Sequence, residues 1–354
     1  MFHRSPFARR SDLAGLATLA YGVVVVLASL YPAEGWRLPD LAILQRQLGE
    51  WPRYYSYTDV TLNVAGYVPL GFLLTTGLRH RMRPMVAASL AFAGATLLSC
   101  CLELVQGGIP LRVPSGLDVF CNAVGGLLGA WIALFFRDDS GEGRGARWYA
   151  RVVDPAAGGD AGVVLAALWV LAQFRPDLWL FATGDLRHLL DAPLSDYSPR
   201  TYILLEAGVA LMGIVAAAGV ARVLITANAL GFLLILVTAG LVARAAATAL
   251  LYDGGHAFLW VTPGNAIGIA LGLVLGGAAC SLSRQAAALA AFADMLGGVV
   301  LLNGAPTNPY ADLSPIQAWQ QGHYRSVVGT TRIVSMGWPL LAGLFLLRHA
   351  RRAG

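Results

Sequence analysis

CLELVQGGIPLRVPSGLDVFCNAVGGLLG, residues Cys101–Gly129, is apolar at both ends and polar in the middle. Glu103 and Gln106 are three apart, and Asp118 and Asn122 four apart, so each pair shares one face of a helix. Between the pairs, GGIPLRVPSG is rich in the glycine and proline that end helices, and it carries one cation, Arg112. The stretch predicts two apolar helices joined by a short loop. Two carboxylates, two amides and an arginine gather at the mouth of that hairpin.

The rest of the chain makes this a membrane hairpin. Of 354 residues, 57% are hydrophobic and only 13% charged, against about 25% charged in a soluble domain. A helix needs about 20 apolar residues to cross a bilayer. Ten stretches qualify: roughly 12–30, 60–78, 84–104, 117–136, 161–181, 202–220, 224–250, 264–282, 286–302 and 331–348, the ninth being the shortest. The predicted fold is an all-α polytopic helical bundle.

Arginines test the count. Arg4, Arg9 and Arg10 precede the first span; Arg79, Arg81 and Arg83 follow the second; Arg137, Arg144, Arg147 and Arg151 follow the fourth. Arg222 and Arg284 come next, and Arg348, Arg351 and Arg352 end the chain. Every second loop is basic, which the positive-inside rule reads as cytoplasmic. The expectation is a multi-pass inner-membrane protein with both termini cytoplasmic. The net charge of +5 follows from this topology and gives no support for nucleic-acid binding. Cys100, Cys101, Cys121 and Cys280 lie in apolar runs without a CxxC or a nearby His, so they read as packing residues. No metal or cofactor is expected. The first apolar run lacks an A-x-A cleavage site and reads as a retained helix.

The sequence also suggests a duplication. LASLYP at Leu27–Pro32 is echoed by LAQFRP at Leu171–Pro176, and the opening hairpin by DGGHAFLWVTPGNAIGIALGLVLG at Asp253–Gly276, at an offset near 145 residues. Four spans in each unit would make them parallel repeats. The expected organisation is a four-helix unit over 1–137, a cytoplasmic linker over 138–160, a degenerate second unit over 161–284 and two further helices over 285–354. In that alignment Asp118 falls on Asn265, Asn122 on Ile269 and Glu103 on Leu250. The second unit has thus lost most of the polar set.

A third polar pair, Asp59 and Asn63, is spaced four apart at the start of the second span. Three helices then present a carboxylate and an amide near one, non-cytoplasmic, face. Asn63 and Asn122 lie about 6 Å deep, at 1.5 Å per residue, where amides need protein partners. Asp59 and Asp118 taken singly are also what a helix N-terminus favours. Glu103, at a C-terminal end, has the opposite dipole and asks for a partner, with Arg112 the nearest cation. Elsewhere, Glu206 and Arg244 read as an ion pair, and Asp294 as facing a polar cavity or marking a partly inserted helix. The loop of Asn308, Trp319, Gln320, His323, Tyr324 and Arg332 suits binding of a sugar or headgroup, and equally a place at the membrane interface.

D-x3-N-x5-P-L-G-F at Asp59–Phe72, E-L-x-Q at Glu103–Gln106 and D-x3-N-x2-G-G-x2-G at Asp118–Gly129 resemble the VanZ-like family, named for a membrane protein linked to teicoplanin resistance. The resemblance covers roughly 12–136 and carries over Asp59, Asn63, Pro69, Glu103, Gln106, Arg112, Asp118 and Asn122. Fusions of this length are similar to longer VanZ-like proteins of Gram-negative bacteria associated with cell-surface polysaccharide systems. It implies a cell-envelope context, with membrane lipids and envelope-biosynthesis proteins as partners. The leading expectation is recognition of an amphiphilic envelope molecule: a lipid-linked glycan, a peptidoglycan precursor or a lipoglycopeptide. Alternatives are a hydrolase or transferase using Glu103 and Asp118 as acid and base, and a proton-coupled transporter. The cytoplasmic ends of the first four spans show no matching acidic residues, which counts against a proton path there.

Overall fold

In a medium without water, a chain satisfies its backbone hydrogen bonds within itself, and the helix is the local way to do so. The computed structural model describes residues 12–31, 34–52, 55–110, 112–136, 144–154, 158–187, 198–251, 257–306 and 323–351, and these are overwhelmingly helical. The helices are α1 (Leu13–Leu30), α2 (Leu41–Gly49), α3 (Tyr57–Leu78), α4 (Pro84–Gln106), α5 (Gly116–Phe135), α6 (Arg144–Val152), α7 (Gly159–Ala172), α8 (Pro199–Leu224), α9 (Ala229–Leu251), α10 (Pro263–Ser281), α11 (Arg284–Gly304) and α12 (His323–Arg351). Among the described residues nine are long and apolar enough to cross a membrane: α1, α3, α4, α5 and α8–α12. The fold is an all-α polytopic bundle. Two compact units compose it, Met1–Arg144 with Arg325–Thr330, and Gly145–Tyr324 with Thr331–Gly354.

In the first unit, α3 packs most closely on α5. Small residues allow that approach. A side chain at Gly125 would strike the Val64 carbonyl, one at Gly129 the Val68 carbonyl, and one at Gly71 the Gly126 carbonyl. At one end of the pair Arg79, just beyond α3, donates to the Ala133 carbonyl near the end of α5 at 3.1 Å. That is a C-terminal cap by a cation, the sign the helix dipole favours. Pro69 sits inside α3 and has no N–H to give the Ala65 carbonyl.

The second unit is built on α8, which packs against α7, α9, α10 and α11. Its buried face is a run of small side chains, Ala216, Ala217, Ala218, Gly219 and Ala221. Gly264, Gly268 and Gly272 of α10 lie over Ile203, Ala207 and Leu211 of α8. The sequence separation across each contact equals that of Gly125 over Val64 and Gly129 over Val68 in the first unit. Arg222, near the end of α8, donates to the Leu282 carbonyl after α10 at 2.8 Å, as Arg79 does for α5.

The expected span at 161–181 takes a different form. Helix α7 stops at Ala172 after 14 residues, and an irregular, buried segment follows to Arg187. Hydropathy could not see the break, because Leu178, Trp179, Leu180 and Phe181 are as apolar as the helix before them. Pro176 supplies the break, having no N–H for a helical bond, and Phe181 adopts φ 60°. Phe181 stacks on Trp169 with ring centroids 5.1 Å apart. Buried irregular backbone survives where protein groups satisfy it. Arg244 of α9 donates to the carbonyls of Arg175, Leu178 (2.8 Å) and Trp179 (3.2 Å). Asn303 of α11 accepts from the Leu186 N–H at 2.6 Å and donates to the Gly184 carbonyl at 2.8 Å.

The expected ion pair between Glu206 and Arg244 is therefore not made. Arg244 serves the broken backbone, and Glu206 accepts a hydrogen bond from Asn265 at 2.9 Å. The expected short span at 286–302 is instead the 21-residue α11. Asp294 sits within it, with Oδ2 buried and without a partner.

Candidate functional site

The start of α3, the end of α4 and the start of α5 bring the three polar pairs to one end of the first unit. Asp59 and Asp118 occupy first turns of α3 and α5, where the helix dipole favours an anion. Glu103, Gln106 and Asn122 are buried. The loop between α4 and α5 closes on Ser115, whose extended backbone makes it the N-cap of α5. Its hydroxyl accepts from the Asp118 N–H at 3.4 Å. Its own N–H donates to Glu103 Oε2 at 2.9 Å. One serine thus ties both carboxylate-bearing turns together.

Arg112 and Gln106 turn toward α1. Gln106 donates to the Ser29 carbonyl at 2.7 Å. Arg112 donates to the Tyr31 carbonyl at 2.7 Å and to the Ser326 hydroxyl. These side chains satisfy carbonyls left open at the C-terminal end of α1. The sequence suggests Arg112 as the partner of Glu103; Arg112 does act on it by charge, while the hydrogen bond that Glu103 receives comes from the Ser115 backbone amide.

A cover lies over this end. The Arg37 N–H donates to the Gly108 carbonyl at 2.9 Å. Trp36 occupies the space that a side chain at Gly108 would need, and Leu44 of α2 does the same at Gly107. Helix α2 is itself capped by Asp40, which accepts from the Ala42 N–H at 2.9 Å.

Deeper in the bundle, Asn122 Nδ2 donates to the Ser99 hydroxyl at 2.9 Å. The amides Asn122 and Gln106 and the carboxylate Glu103 therefore use hydroxyl and backbone partners. They do not satisfy one another as the sequence suggested. Two buried polar atoms have no protein partner here, Asn63 Nδ2 and Asn122 Oδ1, and the buried Tyr67 hydroxyl lies against that of Ser99. Such atoms are costly inside a membrane unless water or a ligand reaches them. The sequence reading missed Tyr67, Ser99 and Ser115. The first two were findable: Tyr67 is four residues after Asn63 and Ser99 four before Glu103, so each extends a polar face already recognised.

Residues 16–137 match the VanZ/LLP1 family model. This VanZ-like unit holds all seven residues singled out in the sequence: Asp59, Asn63, Glu103, Gln106, Arg112, Asp118 and Asn122. No curated protein and no solved structure matches the chain.

Among the other sequence candidates, Asn308, Trp319 and Gln320 lie outside the described residues, as do the side chains of His323 and Tyr324. Arg332 is half-buried in α12, and its charge acts on Asp177. Asp177 lies outside the spanning helices. Burial raises its pKa, but Arg175 at 2.5 Å, with Arg332 and Arg244, holds it below the ordinary carboxylate range.

Proposed function

We propose that the VanZ-like unit binds the polar part of an amphiphilic cell-envelope molecule while its apolar helices meet the lipid chain. Candidate ligands are a lipid-linked glycan, a peptidoglycan precursor or a lipoglycopeptide. One observation carries the reading: Asn63 Nδ2 and Asn122 Oδ1 are buried without partners, and the Tyr67 hydroxyl is buried against Ser99, in the unit whose helix ends carry Asp59, Glu103 and Asp118. Two of these atoms can donate and two can accept, which suits hydroxyl and amide groups. The alternating basic loops support an inner-membrane topology with both termini in the cytoplasm and this mouth on the periplasmic face. Links to glycopeptide resistance and to surface polysaccharide belong to the same proposal.

The two units read as a duplicated fold. The shared helix register and the matching caps by Arg79 and Arg222 support it. Matching the caps Arg79 and Arg222 sets Asn265 against Asn122, one helical turn from the alignment that sets it against Asp118.

The test is binding by the full-length protein in nanodiscs of three probes: a polyprenyl-linked disaccharide, a polyprenyl-linked disaccharide pentapeptide and teicoplanin. Saturable binding of one probe, weakened at least ten-fold in Asn122→Leu and in Tyr67→Phe, supports the reading. Failure of all three to bind overturns it. Turnover of a bound probe, lost in Glu103→Gln or Asp118→Asn, would move the assignment to an enzyme.

A further inference from the structure

A second polar recess lies in the second unit. Pro176 to Leu180 of the irregular segment, the start of α8, the last part of α9 and the start of α10 enclose a cleft holding about 410 Å³ of unfilled space, mouth included. The wall combines Glu206, Asn265, Arg244, Thr262, Trp179 and Trp260.

Hydrogen bonding within the wall leaves a specific remainder. Asn265 Nδ2 donates to Glu206 Oε1 at 2.9 Å and to the Trp260 carbonyl at 2.8 Å. Both amide hydrogens are thereby used, and Asn265 Oδ1 is left buried without a partner. Trp179 and Trp260 each bury an indole N–H without a partner. The cleft thus offers three donors, the two indoles and Arg244 Nε, with one amide acceptor and aromatic surface. The terminal nitrogens of Arg244 bind the carbonyls of Arg175, Leu178 and Trp179, and Glu206 is held by Asn265.

We infer that this cleft binds a neutral, hydroxyl-rich ring, either a free glycoside or the sugar headgroup of a glycolipid. A hydroxyl both donates and accepts. One ring with several hydroxyls therefore serves the two indoles and the Asn265 carbonyl at once. Its apolar face suits the side of an indole, whose polar handle then points at the ring's edge. An anion would approach the Glu206 carboxylate, and the terminal nitrogens of Arg244 are already given to backbone carbonyls. A cation would find Glu206 already holding Asn265 Nδ2. The inference stands apart from the reading of the VanZ-like unit, since it uses none of that unit's residues.

Saturation-transfer difference NMR tests it, with full-length protein in phosphatidylglycerol nanodiscs and methyl β-D-glucopyranoside and methyl β-D-galactopyranoside as probes. The expected result is a saturable signal from ring protons, with affinity at least ten-fold weaker in Trp260→Phe and in Asn265→Leu. Should Asn265→Leu fail to fold, Trp260→Phe carries the test, because it keeps an aromatic ring while removing the indole N–H. Nanodiscs containing glucosyl diacylglycerol then separate the sources: loss of the signal assigns the site to a lipid headgroup, and retention assigns it to a free glycoside. No signal from either probe would mean that water alone fills the cleft and would overturn the inference. A signal unchanged in both variants, or displaced by inorganic phosphate, would overturn it as well.

Discussion

The Ser115 N–H donates to Glu103 Oε2 at 2.9 Å across the loop that joins α4 to α5. A buried N–H whose acceptor is deleted costs about 1–3 kcal/mol, more than the net worth of the bond. Glu103→Leu is therefore expected to lower stability by about that amount. Glu103→Gln keeps an acceptor oxygen in place and is expected to lose less than half as much. Unfolding of the two variants in one detergent measures the difference. Equal losses would show that Glu103 is held by something other than Ser115.

Close packing of α3 on α5 makes a prediction with its own control. A side chain at Gly129 meets the Val68 carbonyl, whereas one at Gly94 in α4 meets nothing within 4 Å. Gly129→Ala is expected to destabilise by about 1–3 kcal/mol, the usual cost of overpacking. Gly94→Ala is expected to be neutral or to stabilise by about 0.5–1 kcal/mol, since helical glycine costs that much in entropy. Paired thermal unfolding separates the two, and a stabilising Gly129→Ala would contradict the helix register.

Residue types and spacing foretold the helices and the polar end because both are local properties. A 3.6-residue period places Glu103 with Gln106 and Asp118 with Asn122 whatever else the chain does. Partners were less legible. Arg112 is the nearest cation to Glu103 in sequence, yet its guanidinium reaches carbonyls at the end of α1, about 80 residues earlier. Only the folded bundle brings those groups together. The break after Ala172 was hidden for a related reason, since Trp179 and Phe181 look apolar in either conformation. The rescue of that backbone depends on Arg244, distant in sequence. Glycine spacing permitted more than one alignment of the two units, because a slide of one helical turn keeps most of the small-residue stripe.

Arg244 gives the third prediction. Its guanidinium reaches three carbonyls of a segment whose own backbone bonds include only the turns from Leu178 to Arg175 and from Ala182 to Trp179. Hydrogen bonds from a charged donor contribute about 1.5–3 kcal/mol each. Arg244→Met is expected to cost at least that much and to open the 175–179 backbone to hydrogen exchange. Arg244→Lys keeps the charge but lacks the planar fork, so exchange protection should recover only in part. Protection at the amides of Leu178 to Phe181 is the readout. Unchanged protection in Arg244→Met would mean the segment is held by its apolar side chains alone.

Asp185 supplies a pH prediction. Burial pushes its carboxyl pKa up, but hydrogen bonds and charge from Arg187, at 2.9 Å, outweigh burial and hold it below the ordinary value. Arg187 also donates to the Pro306 carbonyl at 2.8 Å, so the pair anchors the irregular segment to the end of α11. A carboxylate whose folded pKa is depressed contributes stability above its unfolded value, about 3.9. That contribution is lost as pH falls through the folded pKa, because the unfolded chain then binds the proton more readily. Asp185→Asn leaves Arg187 without its counter-charge and is expected to cost about 3–5 kcal/mol at pH 7. The gap between wild type and Asp185→Asn should stay level down to about pH 4 and narrow below it. Unfolding free energies measured on both proteins across that range check the sign. A gap that widens in acid would show that Asp185 is protonated in the folded protein and would remove the ion pair from the account of this segment.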